Sequence, residues 1–298
     1  MGGMLRSLRG RALSALHSLG LLELARRLRL PEQLYRHLAF HGCINIPVAS
    51  GKIVKMTHEG YSLENDLYWG GYSHGYEAYS RALWSQLAQT AGYIVDVGAN
   101  TGIFALTAAV INPKATVLAL EPVVRTFSKL KANVALTGCS VQCVCQAASA
   151  EDGIAIIHDI NSEHQYSASL NPIMLGDLAA NRKFVQTAKL DNLLSGLNFP
   201  RLDLLKIDVE LHEPEVVAGG MEYISRYQPS VLIEILNEEI FGKLQGMLSE
   251  IEYWWFWVRE SGRVENVANR KFETSDRNFL LCRAEIGLQL GLSLSRTK

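Results

Sequence analysis

The sequence is poor in the features that mark a secreted, membrane-spanning or nucleic-acid-binding chain. Its five cysteines, at positions 43, 139, 143, 145 and 282, form an odd and unframed set. That argues against a disulfide scaffold and for a reducing, cytoplasmic setting. Nothing near Cys143 and Cys145 completes a tetrahedral ligand set, so both read as core thiols and no metal is expected. There is no internal repeat and no low-complexity linker. The formal net charge is only −1, which removes the electrostatic footprint of a nucleic-acid binder. One further absence, a missing glycine in a glycine-rich turn, chooses between cofactors.

That turn lies in the stretch from Tyr93 to Glu121. Tyr93-Ile94-Val95 reads as a buried strand entering a tight turn at Asp96, with Gly98 and Gly102 bracketing the turn. An apolar helix follows from Ile103 to about Ile111. Asn112-Pro113 stops it, and Ala115 to Leu120 reads as a second strand ending on Glu121. This is a βαβ unit whose closing acid lies at the distance that carries a carboxylate to a ribose. A dinucleotide fingerprint needs a glycine at its second position so that backbone can touch a pyrophosphate. Here that position is Asn100, within Gly98-Ala99-Asn100-Thr101-Gly102. S-adenosylmethionine has no phosphates and needs no such clearance. Its carboxylate can lie on backbone N–H groups at the helix start, and its diol suits the Glu121 carboxylate. Asp96, Gly98, Asn100, Thr101, Gly102 and Glu121 are therefore the candidate cofactor residues. A nicotinamide-linked oxidoreductase is the rival that Asn100 disfavours.

Residues 1 to 40 differ from the rest. Leu5, Leu8, Ala12, Leu16 and Leu19 recur at helical spacing, and seven arginines face only Glu23 and Glu32. The charges exclude a spanning helix, and His17 and Glu23 break the apolar run of a secretory signal. A packed helical extension fits, on the domain itself or on a second subunit of a homo-oligomer. An organelle transit peptide or a peripheral helix on anionic lipid also fits. Residues 43 to 60 read as a short hairpin. Tyr61 to Tyr79 then holds five of the eleven tyrosines plus Trp69, a segment that suits either a lid over a ligand or a wedge against the sheet. Tyr76-Glu77 opens a helix running to Leu87.

After Glu121 a helix from Phe127 to Leu136 and a third strand from Ser140 to Ala148 are expected. Ala148 and Ser149 at its carboxyl end are placed to line an adenine. Ile154 to Ile157 and Lys183 to Leu190 read as strands flanking a polar loop with His158, His164 and Tyr166. A second chemically dense stretch follows. Leu204 to Ile207 is a buried strand, and Asp208, Glu210, His212 and Glu213 crowd its carboxyl end before a helix opened by Pro214. Val231 to Ile233 makes a fifth strand and Gly242 to Leu248 a helix. Tyr253 to Val258 and Asn278 to Cys282 read as an antiparallel pair, with Trp254, Trp255, Phe256 and Trp257 filling both faces of a central strand.

Val95-Asp96-Val97-Gly98-Ala99-Asn100-Thr101-Gly102, Leu120-Glu121-Pro122, Leu190-Asp191-Asn192-Leu193 and Leu205-Lys206-Ile207-Asp208-Val209-Glu210 with His212-Glu213 resemble the FkbM family of class I S-adenosylmethionine-dependent methyltransferases. The resemblance runs from about Tyr76 to Leu281, in family order. One position departs: the family usually has glycine between Glu210 and His212, and this chain has Leu211. The resemblance implies an α/β, Rossmann-like fold with a mostly parallel seven-stranded sheet and helices on both faces. The chain as a whole is expected to divide into a basic helical extension (1–45), an aromatic lead-in or lid (46–90), a methyltransferase catalytic domain (91–285) and a tail (286–298). The resemblance also implies methyl transfer to a hydroxyl of a sugar, glycan or related small molecule. Such an acceptor needs a base, for which His212, Glu210 and Glu213 are candidates, with Asp208 holding the methionine amine or the substrate. A catalytically silent relative that works by binding a partner is the alternative from another class.

Overall fold

The computed structural model describes residues 2–27, 30–75, 77–162, 165–170, 181–267, 272–273 and 276–292. Three helices open the chain, α1 (Gly2–Ser18), α2 (Leu21–Arg27) and α3 (Glu32–Tyr35), followed by an antiparallel hairpin of β1 (His41–Pro47) and β2 (Ile53–Glu59). Two helices, α4 (Ser62–Trp69) and α5 (Ala78–Ala88), lead into the βαβ unit, which is β3 (Tyr93–Val97), α6 (Ile103–Ile111) and β4 (Thr116–Leu120). Next come α7 (Val124–Thr137), β5 (Gln142–Val144), β6 (Ala147–Ala148), β7 (Gly153–Ser162), β8 (Gln165–Ser169), β9 (Asn181–Ala188) and α8 (Leu190–Gly196). The last part holds β10 (Leu204–Ile207), α9 (Glu213–Gly219), α10 (Met221–Tyr227), β11 (Ser230–Glu234), α11 (Glu238–Met247), β12 (Trp254–Arg259), β13 (Arg263–Asn266), β14 (Asn278–Cys282) and α12 (Ala284–Gln289).

The main sheet runs β13-β12-β14-β11-β10-β3-β4-β5. Its five strands from β5 to β11 are parallel, and β14, β12 and β13 close one edge antiparallel. The expected count was seven; the eighth strand is β13, which extends the expected pair by a turn back from Arg259. Successive residues feed two cores on opposite faces. Ile94, Leu204, Leu232 and Leu280 go to one, and Val95, Leu205, Val231 and Leu281 to the other. Chain order reverses between β3 and β10, and in an open α/β sheet ligands gather at the carboxyl edge of such a switch point.

Several expectations need adjusting. Asp96 is the fourth residue of β3, not a turn residue. The strand expected over Ser140 to Ala148 breaks, because Ala147–Ala148 leaves the main sheet to pair in parallel with β9. The polar loop expected around His158 is strand as well: β7, β8 and β9 with β6 form a four-stranded accessory sheet, while His164 lies outside the described residues. Trp257 and Phe256 are buried as expected, but β12 is the penultimate strand, and Trp254 and Trp255 keep partial exposure. The Asp191-Asn192 motif is structural. Asp191 accepts the N–H groups of Glu222 and Tyr223 at the start of α10, and Asn192 donates to Asp152.

The aromatic segment is chiefly a wedge. Tyr68, Trp69 and Tyr72 are buried in the core, whereas Tyr61 stays outside under Lys129 and Arg125. The hairpin also braces the first turn of the βαβ unit. Asn133 of α7 accepts from the Thr57 N–H at 2.8 Å and donates to the Thr101 carbonyl at 2.9 Å.

Among the described glycines, Gly98 leaves the least room for a side chain, where the two loops that follow β3 and β10 meet. Gly98 has φ +78°, and a Cβ built there would stand 1.8 Å from the Asp208 carbonyl oxygen. Only a residue without a side chain lets the two strand ends approach this closely. Gly98→Ala is therefore expected to destabilise the chain by about 3 kcal/mol, from left-handed strain plus the forced separation. Urea unfolding of the two proteins measures this; a loss below about 1 kcal/mol would mean the contact is not obligatory.

Candidate functional site

A cavity of about 420 Å³ opens at the carboxyl ends of β3, β4, β10 and β11. Its wall contains Gly98 and Asn100 after β3, Glu121 after β4, and Asp208, Glu210 and His212 after β10. Ala148 closes it from β6, Ile157 and Leu170 from the accessory sheet, and Ser62, Leu63 and Asp66 from the start of α4.

Each expected residue has a definite place. The Glu121 carboxylate is nearly buried and accepts the Asn100 N–H at 3.1 Å and the Val123 N–H at 2.9 Å, one on each oxygen. It thus locks the turn to the end of β4. Asn100 has φ +52°, a left-handed conformation that asparagine tolerates better than most residues. Asp96, Thr101 and Gly102 do not reach the wall. Asp96 sits under it and accepts the Ala105 N–H at 3.0 Å, satisfying the first turn of α6. Thr101 is fully buried and Gly102 is the N-cap of α6 at φ +103°.

The cluster after β10 divides in the same way. His212 is on the wall, its Nε2 3.0 Å from Ser149 Oγ and its Nδ1 3.6 Å from Glu215 Oε2. Burial lowers its pKa, with Glu215 pushing back, so the ring is neutral near pH 7. Ser149 acts through this contact and does not itself line the cavity. Glu213 also lies behind the wall: fully buried, it accepts the Leu211 N–H at 3.1 Å. Burial raises its pKa to about 8. Leu211, where glycine was expected, has φ +73° and follows Glu210 at φ +55°. The loop keeps its left-handed turn despite the side chain.

Sequence reading missed a polar network in which Lys206, Glu77 and Glu234 form part of the cavity wall and Asp96 and Asn278 stand behind it. Lys206, Asp96, Glu234 and Asn278 project from four neighbouring strands toward one face, where Glu77 at the start of α5 meets them. The Lys206 ammonium is 2% exposed, 2.7 Å from Asp208 Oδ2 and 4.4 Å from the Phe104 ring centre. Burial would push its pKa down, but Asp208, Glu77 and Asp96 together hold it above its ordinary value. Burial raises Glu77, takes Asp96 to about 6, and takes Glu234 to about 10 with Asp208 and Glu210 adding repulsion. The signal was present in one place: a lysine inside Leu204-Leu205-Lys206-Ile207, a run otherwise fit for a doubly covered strand.

With this geometry in view, the comparisons with known proteins are specific. The family model for the methyltransferase FkbM domain matches residues 96–263, more than half of the chain. The chain belongs to the FkbM methyltransferase family. Among curated proteins, a 31-O-demethyl-FK506 methyltransferase of Streptomyces tacrolimicus is 29% identical over 42% of this chain and 58% of its own length. Among solved structures, an FkbM methyltransferase of Methylobacillus flagellatus is 12% identical, with a TM-score of 0.44 over 66% of this chain and 47% of that one. A Bacillus cereus O-methyltransferase solved with S-adenosylhomocysteine is 14% identical, with a TM-score of 0.41 over 70% of this chain and 82% of that one. The matched part of this chain thus spans little more than half of the curated relative and about half of the first structure.

Two predictions follow from the electrostatics. Glu64, Glu213 and Glu234 hold protons in the folded chain, to about pH 7, 8 and 10, that the unfolded chain has already released. The folded state therefore binds more protons, and stability falls as pH rises. His58 and His212, lowered by burial, offset a minor part of this, because the unfolded chain's histidines are still about half protonated at pH 6.5. Raising pH from about 6.5 to about 8 should cost about 4 kcal/mol in urea unfolding; a flat profile would show these carboxyls titrating normally. Lys206→Met strands the surrounding carboxylates and should cost about 3–5 kcal/mol at pH 8. The loss should shrink at pH 6, where those groups can take up protons, and a pH-independent loss would mean packing alone is responsible.

Proposed function

We propose that this chain is an S-adenosylmethionine-dependent methyltransferase acting on a hydroxyl of a sugar, glycan or related small molecule. The observation that carries the reading is one cavity wall. The Gly98–Asn100 turn, the Glu121 carboxylate and His212 share it, in a chain of the FkbM family. Its volume lies in the range of small-molecule sites. The Asn100 and Val123 N–H groups hold the Glu121 carboxylate on this wall, and a carboxylate is the acceptor that a ribose diol requires. Ala148 and Val123 offer an apolar wall for the adenine, and Ile103 and Phe104 bring the start of α6 to the methionine carboxylate. Asp208 and Glu77 supply the negative charge that a methionine amine requires. The curated relative's name puts its methyl acceptor at the 31-oxygen of 31-O-demethyl-FK506, which supports a hydroxyl acceptor here.

The cofactor supplies an electrophilic methyl group on a positively charged sulfur. The chain's own residues supply the rest. Val97, Leu120, Ile157 and Leu170 keep water from the reacting centre, and the rigid strand ends align the partners. His212, neutral near pH 7, accepts the hydroxyl proton. Ser149 fixes the ring, and Glu215, 3.6 Å from Nδ1, faces the cation formed on protonation. Glu210 shares the wall and is the second candidate base, while Glu213 is assigned to holding the loop.

Calorimetry with S-adenosylhomocysteine should detect binding to the wild type, while NAD should give none. Glu121→Ala should weaken that binding by at least about tenfold. Strong NAD binding, or unchanged affinity in the variant, would sink the cofactor assignment. For the acceptor, the chain is incubated with labelled cofactor and a panel of glycans, lipids and phenols, and transferred methyl is read by mass. With any acceptor found, His212→Ala should lower turnover by about 10²-fold and leave S-adenosylhomocysteine affinity within threefold. Lost affinity would move His212 into the binding set.

A further inference from the structure

The periodic stripe that marks the first helix as amphipathic is not the face that packs. On α1 the inward face holds Leu13, which packs on the core, and two polar anchors. Ser14 Oγ accepts the His41 N–H at 2.8 Å, and His17 Nε2 lies 2.7 Å from the Cys43 carbonyl with its ring 4.4 Å from Phe40. On α2 the inward face is Leu22, which is buried, and Arg26, which lies over the Tyr68 ring and donates to the Asn45 carbonyl. The stripe of Ala12, Leu16 and Leu19 points the other way. Leu16 is 38% and Leu19 72% exposed, and on α2 Leu21 is 48% and Leu24 61% exposed. Four of the eleven exposed large apolar side chains of the described residues fall in these nine positions. Scattered single leucines need no explanation, but a stripe held outward on two consecutive helices does.

Charge identifies the occupant. Residues 1 to 40 carry seven arginines against two glutamates, a net of +5, so the other 258 residues carry −6 to give the total of −1. Arg11 on α1 is exposed, as is Arg36 just after α3. No described helix is long and apolar enough to cross a membrane, so a surface of this kind lies in the headgroup plane. We propose that α1 and α2 dock this chain on an anionic lipid surface, with Leu16, Leu19, Leu21 and Leu24 entering the interface and the net positive charge of the segment drawing it to the headgroups. A second copy paired on the same face would bring two segments of net +5 together, which charge opposes. The proposal is independent of the methyltransferase reading, because none of these residues lines the cavity.

The test is flotation of the full chain with phosphatidylcholine vesicles containing about 30 mol % phosphatidylserine, against phosphatidylcholine alone. The chain should float with the anionic vesicles and at least about tenfold less with the neutral ones, and about 0.5 M salt should release it. Leu19→Glu with Leu24→Glu should abolish flotation at unchanged thermal stability, since both side chains are already exposed. Absence of wild-type flotation, equal flotation on both vesicle types, or an undiminished double variant would overturn the proposal. A dimer in sedimentation equilibrium that the double variant dissolves would overturn it in favour of self-association.

Discussion

The Lys206 ammonium is the interaction on which the site depends. It is a buried cation in the middle strand of a parallel sheet, and it costs several kcal/mol to bury unless carboxylates surround it. Those carboxylates tie three separate elements to one charge. Asp96 satisfies the start of α6, Asp208 begins the loop that contacts Gly98, and Glu77 opens α5. The orientation of both helix starts and of the loop carrying His212 is therefore coupled. Lys206, Asp208 and Glu77 themselves line the cavity, so the attraction that fixes these elements also shapes its wall.

Backbone strain gathers around the same cavity. Of the non-glycine residues with positive φ, Glu77, Asn100, Glu210 and Leu211 border it or adjoin residues that do. Each costs of order 1 kcal/mol, and such residues persist only where the surroundings over-determine them. Here those surroundings are visible. Glu121 holds the Asn100 N–H, Glu213 holds the Leu211 N–H, and Asn278 reaches the Glu77 carboxylate. The strained turns are each pinned by a buried or nearly buried polar side chain, which gives the site a fixed shape before any ligand arrives.

The order of strands and helices from Tyr93 to Cys282 was legible because two periodicities and the turn chemistry agree along it. The α6 helix, β10 and the β12–β14 pair stand where apolar patterning puts them. Where the reading failed, local pattern competed with pairing. Ser140 to Ala148 alternates like one strand, yet its last two residues find a better partner in β9. His158 looks like loop because polar residues surround it, but an antiparallel partner can build strand from such a sequence. At the site, wall residues and their supports were indistinguishable in the sequence. Glu121 and Asp208 reach the cavity while Asp96, Thr101 and Glu213 hold it from behind. Spacing gives proximity along the chain; which side of the loop a group faces depends on contacts made by Asn133 and Lys206, far away in sequence.

The amino-terminal segment shows the limit of periodicity from the opposite direction. Leucines recurring every third or fourth residue establish that a helix has an apolar face, and by default that face belongs against the core. In α1 the core instead takes Leu13, flanked by His17 and Ser14, because the hairpin edge it meets offers the Cys43 carbonyl and the His41 N–H, which need polar partners. An apolar stripe pressed there would have left those groups unsatisfied at a cost comparable to burying the stripe. Polar groups on the hairpin thus select the polar side of the helix, and the leucines are left for a surface outside the chain. The same accounting of backbone donors and acceptors that fixes the strained turns at the cavity also decides which way the first two helices face.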